Sequence, residues 1–330
     1  MHETGGPHHG TGVGEGAKPF TPIAPMTDTT ASQPIRRAMN ARDWFMLVLL
    51  GAIWGGSFFF AKVAVAEIPP LTLVLFRVGI AALALHLYLA VAGPSFRLAF
   101  SMAGSFFLLA LLNNIIPFTL MFAGQTEIGA GLASILNATT PFWTMILANL
   151  LTDDEKLSWN KVAGVGLGMA GTAVMIGPGV FAGLGGPVWA KLALIGTALS
   201  YGCAAIFARR FRALPPQIVA TGQLTASTVM MLPVVLLWHA EGMFTASPQA
   251  WAAVLGLAVL ATAFAYILFF SLIRSAGASN TSLVTLIVPV SAIILGAVFL
   301  GERLEIFEVA GMVLIAAGFL IIDGRLLARR

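Results

Sequence analysis

Cysteine is nearly absent. Cys203 stands alone, which excludes an internal disulfide and any cysteine-based metal cluster. Charge is scarce as well: Asp, Glu, Lys and Arg make up 10% of the chain, against about a quarter in a soluble domain. So little polar surface cannot coat a chain of this length for water. Acid at depth is scarcer still, because Glu67, Glu127, Glu155, Glu302 and Asp323 all map to the ends of apolar runs. A lipophilic cation exchanged for protons ordinarily needs a carboxylate inside the membrane, so that substrate class is disfavoured. No H-E-x-x-H, G-x-S-x-G or Walker pattern is present, and no nucleophile or acid/base pair stands at depth. An enzyme is therefore not expected, nor a cofactor, a metal site or a catalytic residue.

What is present is apolar length. Hydrophobic residues are 58% of the chain, and from Trp44 onward they fall in blocks of roughly 20, enough to cross a ~30 Å hydrocarbon core. The blocks predict helices at roughly 44–66, 71–92, 98–123, 128–150, 161–177, 189–208, 216–239, 249–273, 279–300 and 304–323. The fold class is an all-α integral membrane protein with ten transmembrane helices. Connections such as 67–70 leave no room for a soluble domain, so residues 41–330 read as one membrane domain. Residues 1–40, rich in Gly, Pro, Thr and His, read as a disordered tail, not a signal peptide. His2, His8 and His9 in it suit a floppy segment better than a metal tract.

The ten spans form two copies. Ala133, Asn137 and Pro141 return as Thr281, Thr285 and Pro289, and the charged turn at 154–157 returns at 301–304. Gly51, Trp54 and Pro69-Pro70 are echoed by Gly196, Tyr201 and Pro215-Pro216. Repeat one covers about 44–177 and repeat two about 189–323. Five crossings per copy force the second to enter from the opposite side, so the repeats are inverted. Lysines and arginines sort to one side: Arg36, Arg37, Arg42, Arg97, Lys156, Lys161, Arg209, Arg210, Arg212, Arg274, Arg325, Arg329 and Arg330, against Lys191 and Arg303 on the other. That bias places both termini in the cytoplasm of a bacterial inner membrane, and it accounts for the basic pI without nucleic acid.

Certain tracts carry a family resemblance. They are Leu50-Gly51-Ala52-Ile53-Trp54-Gly55-Gly56-Ser57-Phe58, Pro69-Pro70-Leu71-Thr72 leading to Arg77, and Pro141 and Pro289, each followed by a charged Glu-x-Leu turn. In their order and duplication the chain resembles the drug/metabolite transporter superfamily, of the ten-helix EamA type, over roughly 44–323. The resemblance implies secondary transport, usually export, of small metabolites. Within the superfamily the chain is most similar to bacterial amino-acid exporters, including the aromatic amino-acid type. One departure is Asp154-Glu155-Lys156, where the family more often has Gly-Glu-Arg.

Candidate substrate-binding residues are polar or aromatic side chains inside apolar runs. Asn137 lies ~12 Å into span four by helical rise, on one stripe with Thr140 and Thr144, and Thr285 is its counterpart in span nine. Asn113 and Asn114 precede Pro117 in span three; they point about 100° apart, and Asn114 is favoured. Trp54 and Tyr201 occupy equivalent places, Tyr266 sits well inside span eight, and Gln223 inside span seven. Helix-to-helix hydrogen bonding and lipid contact are the competing roles for all of them. Pro141 and Pro289 are candidate hinges, since a mid-helix proline frees a carbonyl and bends the axis. His86 is a candidate proton carrier. Arg77, half a turn away from it in net rotation, could snorkel, bind a carboxylate substrate or brace the helices through backbone carbonyls; the favoured reading is a buried structural charge in the bracing role. Lys62 is expected to snorkel to the interface, and Trp44, Trp159 and Trp189 to anchor at it. Gly51/Gly55 and Gly164/Gly168 permit close packing, within the bundle or between two copies of the chain.

The reading that unites these features is a secondary transporter for small metabolites, amino acids first, working by alternating access between inverted halves. A passive channel or facilitator for small neutral solutes is the alternative. The partners are the solute and membrane lipid, and the assembly is a monomer or homodimer.

Overall fold

The computed structural model describes residues 40–151, 159–182, 186–238, 243–276 and 284–323. The tail, the charged turn at 154–157, Thr281 and the terminal arginines lie outside the described residues, as do the side chains of Lys161 and Arg274. Every regular element among the described residues is helical.

Span one is Ala41–Val65 and span two Pro70–Ala92. Span one starts on reciprocal caps: Asp43 N donates to Asn40 Oδ1 at 2.8 Å, and Asn40 N to Asp43 Oδ2 at 3.2 Å. Pro70 sits at the first turn of span two, where a missing N–H is harmless. Span three joins Ala103–Ala110, a π-helical turn Leu111–Ile115 and Ile116–Glu127. Span four is split into Ala130–Asn137 and Thr140–Leu151. Spans five, six and seven are Trp159–Ala182, Val188–Phe207 and Pro216–Trp238. Span eight joins Pro248–Leu255, a π-helical Gly256–Phe264 and Ala265–Ala276. Spans nine and ten are Val284–Leu300 and Ile306–Asp323. Among the described residues, six of the ten are helices long and apolar enough to cross a membrane without interruption; spans four, five, nine and ten hold shorter or broken apolar stretches.

The helix expected at 128–150 is broken at 138–139, beside Pro141, where a freed carbonyl and a bent axis are expected. Pro141 has no N–H for the Asn137 carbonyl, and two hydroxyls take over there. Thr140 Oγ1 donates to Asn137 O and Thr139 Oγ1 to Leu136 O, each at 2.7 Å. Local side-chain bonds of this kind compete with the helical ladder. Pro289 has no such break beside it and lies within the unbroken helix of span nine.

Contacts at the ends of the spans establish the inversion. Near the end of span one, Lys62 Nζ donates to Gln125 O at 2.7 Å, at the end of span three. Ile128 at the same turn meets Gly186, just before span six. Span six therefore begins where span one ends, so the two copies run in opposite directions. At the other end, Ser275 Oγ of span eight donates to Asp43 Oδ1 at 2.7 Å. The packing respects the exchange of copies: two pairs with seven, five with ten, one with nine as four with six.

Glycines set these crossings. A Cβ on Gly55 would collide with Ser291 Oγ and lie 2.6 Å from Val288 O, and Ser291 Oγ donates to Gly51 O at 3.0 Å. Gly168 admits the ring of Phe142, and Gly318 lies against Gly164 O. Both G-x-x-x-G pairs are thus used inside the bundle. Trp44, Trp159 and Trp189 are exposed at span ends.

Candidate functional site

A cavity of about 450 Å³ opens where the two copies face each other. Span one contributes Trp54, Ser57 and Phe58, and span three Asn113, Phe118 and Met121. The broken span four supplies Ser134, Asn137, Ala138, Thr140 and Pro141, and span six Tyr201. Thr262, Tyr266 and Phe269 come from span eight, and Val284, Thr285 and Val288 from span nine. Among the described residues the wall holds amides, hydroxyls and aromatic rings, and not one Asp, Glu, Lys, Arg or His.

Each group is placed by a local device. Ser57 Oγ donates to Trp54 O at 2.7 Å, one turn back in span one, and the Trp54 ring lies 5.3 Å from that of Phe269. Asn113 is held from behind: its Nδ2 donates to Gln223 Oε1 at 2.8 Å, and its side chain lies beside the Tyr266 hydroxyl. Asn137 is held less fully. Its Oδ1 is buried and has no hydrogen-bond partner, an unfavourable state for a polar atom in a membrane interior. The residue itself lines the cavity, so a turn of the amide would bring Oδ1 to a ligand N–H there.

Asn137, Trp54, Tyr201, Tyr266, Thr285 and Pro141 therefore come together. Others do not. Asn114 is fully buried, with its Nδ2 donating to Ser227 Oγ at 2.9 Å; Asn113, not Asn114, faces the cavity. The π-helical turn at Leu111–Ile115 changes the register that regular helical spacing assumes. Gln223 stands behind Asn113 and not on the wall, and Pro289 is likewise off it. His86 lies between spans two and seven with Nε2 2.9 Å from Thr225 Oγ1. The Thr225 hydroxyl proton goes to Thr221 O at 2.7 Å, so Nε2 carries the hydrogen. Its ring meets Phe96 edge-on, away from the cavity.

Arg77 is buried but does not brace carbonyls as expected. Its Nε donates to Thr262 Oγ1 at 3.1 Å and its Cζ lies 3.9 Å from the Phe118 ring centre, while Nη1 has no partner. Lys62 binds Gln125 O instead of simply snorkelling. Lys191 is fully buried in the first turn of span six, over the Phe307 ring and near Glu308, itself buried in the first turn of span ten. The cavity residues that sequence reasoning passed over had a partial signal. Thr262, Tyr266 and Phe269 are spaced for one helical face, as are Ser134 and Asn137; Phe118 had no mark beyond being apolar.

One end of the bundle is pinned by charge. Glu302 accepts from Ala130 N at 2.8 Å and Gly131 N at 3.1 Å, at the start of span four. A carboxylate suits the positive end of a helix. Gly301, in the left-handed region at φ 66°, turns the chain so that Glu302 can reach. Gly129 and Gly296 leave the space it fills.

Comparison with known proteins agrees with this architecture. The model of the EamA-like transporter family matches twice, over residues 43–177 and 188–323. A probable amino-acid metabolite efflux pump of Salmonella typhimurium is 28% identical over 299 residues, covering 86% of this chain and 95% of its own. A probable terminal-alkyne amino-acid exporter of Streptantibioticus cattleyicolor is 30% identical over 210 residues, 63% of this chain and 68% of its own. The uncharacterized inner membrane transporter YedA of Escherichia coli K12 is 26% identical over 79% of this chain and 84% of its own. A solved crystal structure superposes with TM-score 0.61 at 19% identity, covering 88% of this chain and 98% of its own, which speaks to the fold alone.

A duplicated all-helical membrane bundle with a neutral polar cavity at its seam fits a transporter. On the two matches that together span nearly all of the described residues, the chain belongs to the EamA-like transporter family.

Proposed function

We propose that the protein exports amino acids across a bacterial inner membrane by alternating access. The observation that carries this reading is the cavity between inverted copies, whose walls hold aromatic rings and neutral hydrogen-bonding groups. Such a wall suits a solute with an apolar or flat side chain and a zwitterionic backbone. Two relatives are named for amino-acid efflux or export, and one is named an inner membrane transporter.

Arg42, Arg97, Arg209, Arg210 and Arg212 lie at the end of the bundle where span one begins, which makes that end cytoplasmic by the positive-inside bias. The end pinned by Glu302 and Lys62 is then the outer one. Export requires those contacts to open while the opposite end closes. Pro141, beside the break in span four, is the hinge on that path, with Pro289 its counterpart in span nine.

Proteoliposomes loaded with a labelled amino acid test the reading. Saturable efflux accelerated by the unlabelled solute on the far side is expected. Flux linear in concentration, with no such counterflow, would replace the transporter cycle by a passive channel.

A further inference from the structure

The two helices that back the cavity carry residues of different charge at one shared place. Pro70 begins span two and Pro216 begins span seven; seven residues on stand Arg77 and Gln223. Both are buried, with 6% and 5% of their surface exposed. Each bonds to a cavity-wall residue in a π-helical segment of the opposite copy, Arg77 to Thr262 in span eight and Gln223 to Asn113 in span three. The pairing of spans is twofold symmetric, although Arg77 donates its bond and Gln223 accepts its own. The charge is not.

Thr262 is shaped for this task. Its hydroxyl proton goes to Leu257 O at 2.8 Å, a carbonyl five residues back that the π geometry brings into reach. The oxygen lone pairs are left for Arg77. A threonine and the face of Phe118 do not neutralise a guanidinium, which stays protonated at any pH of interest. No carboxylate among the described residues pairs with Arg77, and Nη1 is left without an acceptor. A cation unbalanced at this depth is costly to hold. The layer between it and the cavity is one side chain thick, because Thr262 and Phe118 are themselves wall residues.

We infer that Arg77 makes the cavity a carboxylate site: the solute supplies the missing anion, its acid group lying on the Thr262–Phe118 side. The neutral Asn113–Gln223 pair lies at the symmetry-related position. Arg77 acts as a specificity-determining residue through charge. This rests on the transport reading for its biological meaning, but it makes a claim about binding that transport need not report. A solute that keeps its carboxylate and loses its ammonium still fits, provided it retains a donor for Asn137 Oδ1. A solute that keeps its ammonium and loses its carboxylate does not.

The test is binding to the purified full chain in lipid nanodiscs, read by thermal stabilisation. The probes are phenylalanine, phenyllactate, phenylalaninamide and phenethylamine. Phenylalanine and phenyllactate should bind, with the amide and the amine weaker by about tenfold or more, as expected for one charge a single side-chain layer away. In Arg77→Gln the preference for the acid over the amide should vanish, and in Arg77→Lys part of it should return, which a purely structural role would not produce. If Arg77→Gln fails to fold, the wild-type series still decides. Equal binding of the amide or the amine would overturn the inference and leave alternating access intact. Binding by none of the four would also overturn it, and counterflow would judge the transport reading separately.

Discussion

Replacing Asn137 by alanine should move stability and binding in opposite directions. The Oδ1 atom is buried without a partner, and such an atom costs about 1–3 kcal/mol of lost hydration. Removing it returns part of that cost, less a small loss of packing around the shortened side chain. The ligand-free protein is therefore expected to be unchanged or up to ~1 kcal/mol more stable. With ligand the sign reverses. A hydrogen bond from a charged donor to that oxygen is worth about 1.5–3 kcal/mol, so affinity for an amino acid should fall about tenfold to a hundredfold. Thermal unfolding of the purified protein with and without phenylalanine measures both quantities on one sample. Thr140 and Thr139 keep their bonds to the freed carbonyls in this variant, so the break in span four stays in place. A lower melting temperature with unchanged affinity would refute the reasoning and make Asn137 a helix-packing residue.

Gly55→Ala should cost about 1–3 kcal/mol by overpacking, because two of the nearest atoms, Val288 O and Ala292 N, are backbone and cannot turn aside. Gly104→Ala, with open space around its Cβ, should instead stabilise by up to about 1 kcal/mol through helix propensity; denaturation in detergent compares the two, and equal effects would refute the packing account. Glu302→Gln leaves an acceptor for only one of the two N–H groups at the start of span four, and it should lower the melting temperature and raise labelling of a cysteine placed at Ser134 from the outer side; unchanged labelling would show that the contact gates nothing. Glu67 lies outside the spans, and hydrogen bonds from the Ser247 hydroxyl and N–H hold its carboxyl below the usual glutamate range. A depressed folded pKa gives stability that is present above the unfolded value and lost as pH falls through the folded one. Ser247→Ala removes the hydroxyl donor, so the Glu67 titration, followed by carbon NMR, should move up toward the ordinary value; a titration that stays in place would show the hydroxyl to be idle.

The span count was legible because it depends on length alone. A run of about 20 apolar residues has few fates other than a membrane crossing, and each of the ten predicted blocks coincides with helix among the described residues, the Gly-rich fifth included. Span three, however, continues as helix to Glu127, beyond its predicted end near 123. Span four reads as one block in hydropathy, which is blind to the break at 138–139. That break is set by which groups take the carbonyls that Pro141 leaves. The wall positions of Trp54, Asn137, Tyr201, Tyr266 and Thr285 could be read from polar or aromatic character inside apolar runs.

What the sequence determined by itself is one-dimensional: apolar length, the duplication of motifs, and the odd parity that turns one copy against the other. Which atoms meet is a different matter. Asn113 displaces Asn114 from the cavity because a π-helical turn shifts the register, and no spacing rule written for 3.6 residues per turn anticipates that. Arg77 finds Thr262 from a distance of 185 residues, and Gln223 finds Asn113 from 110. Such partnerships depend on how helices rotate and cross, and only the packed bundle decides that.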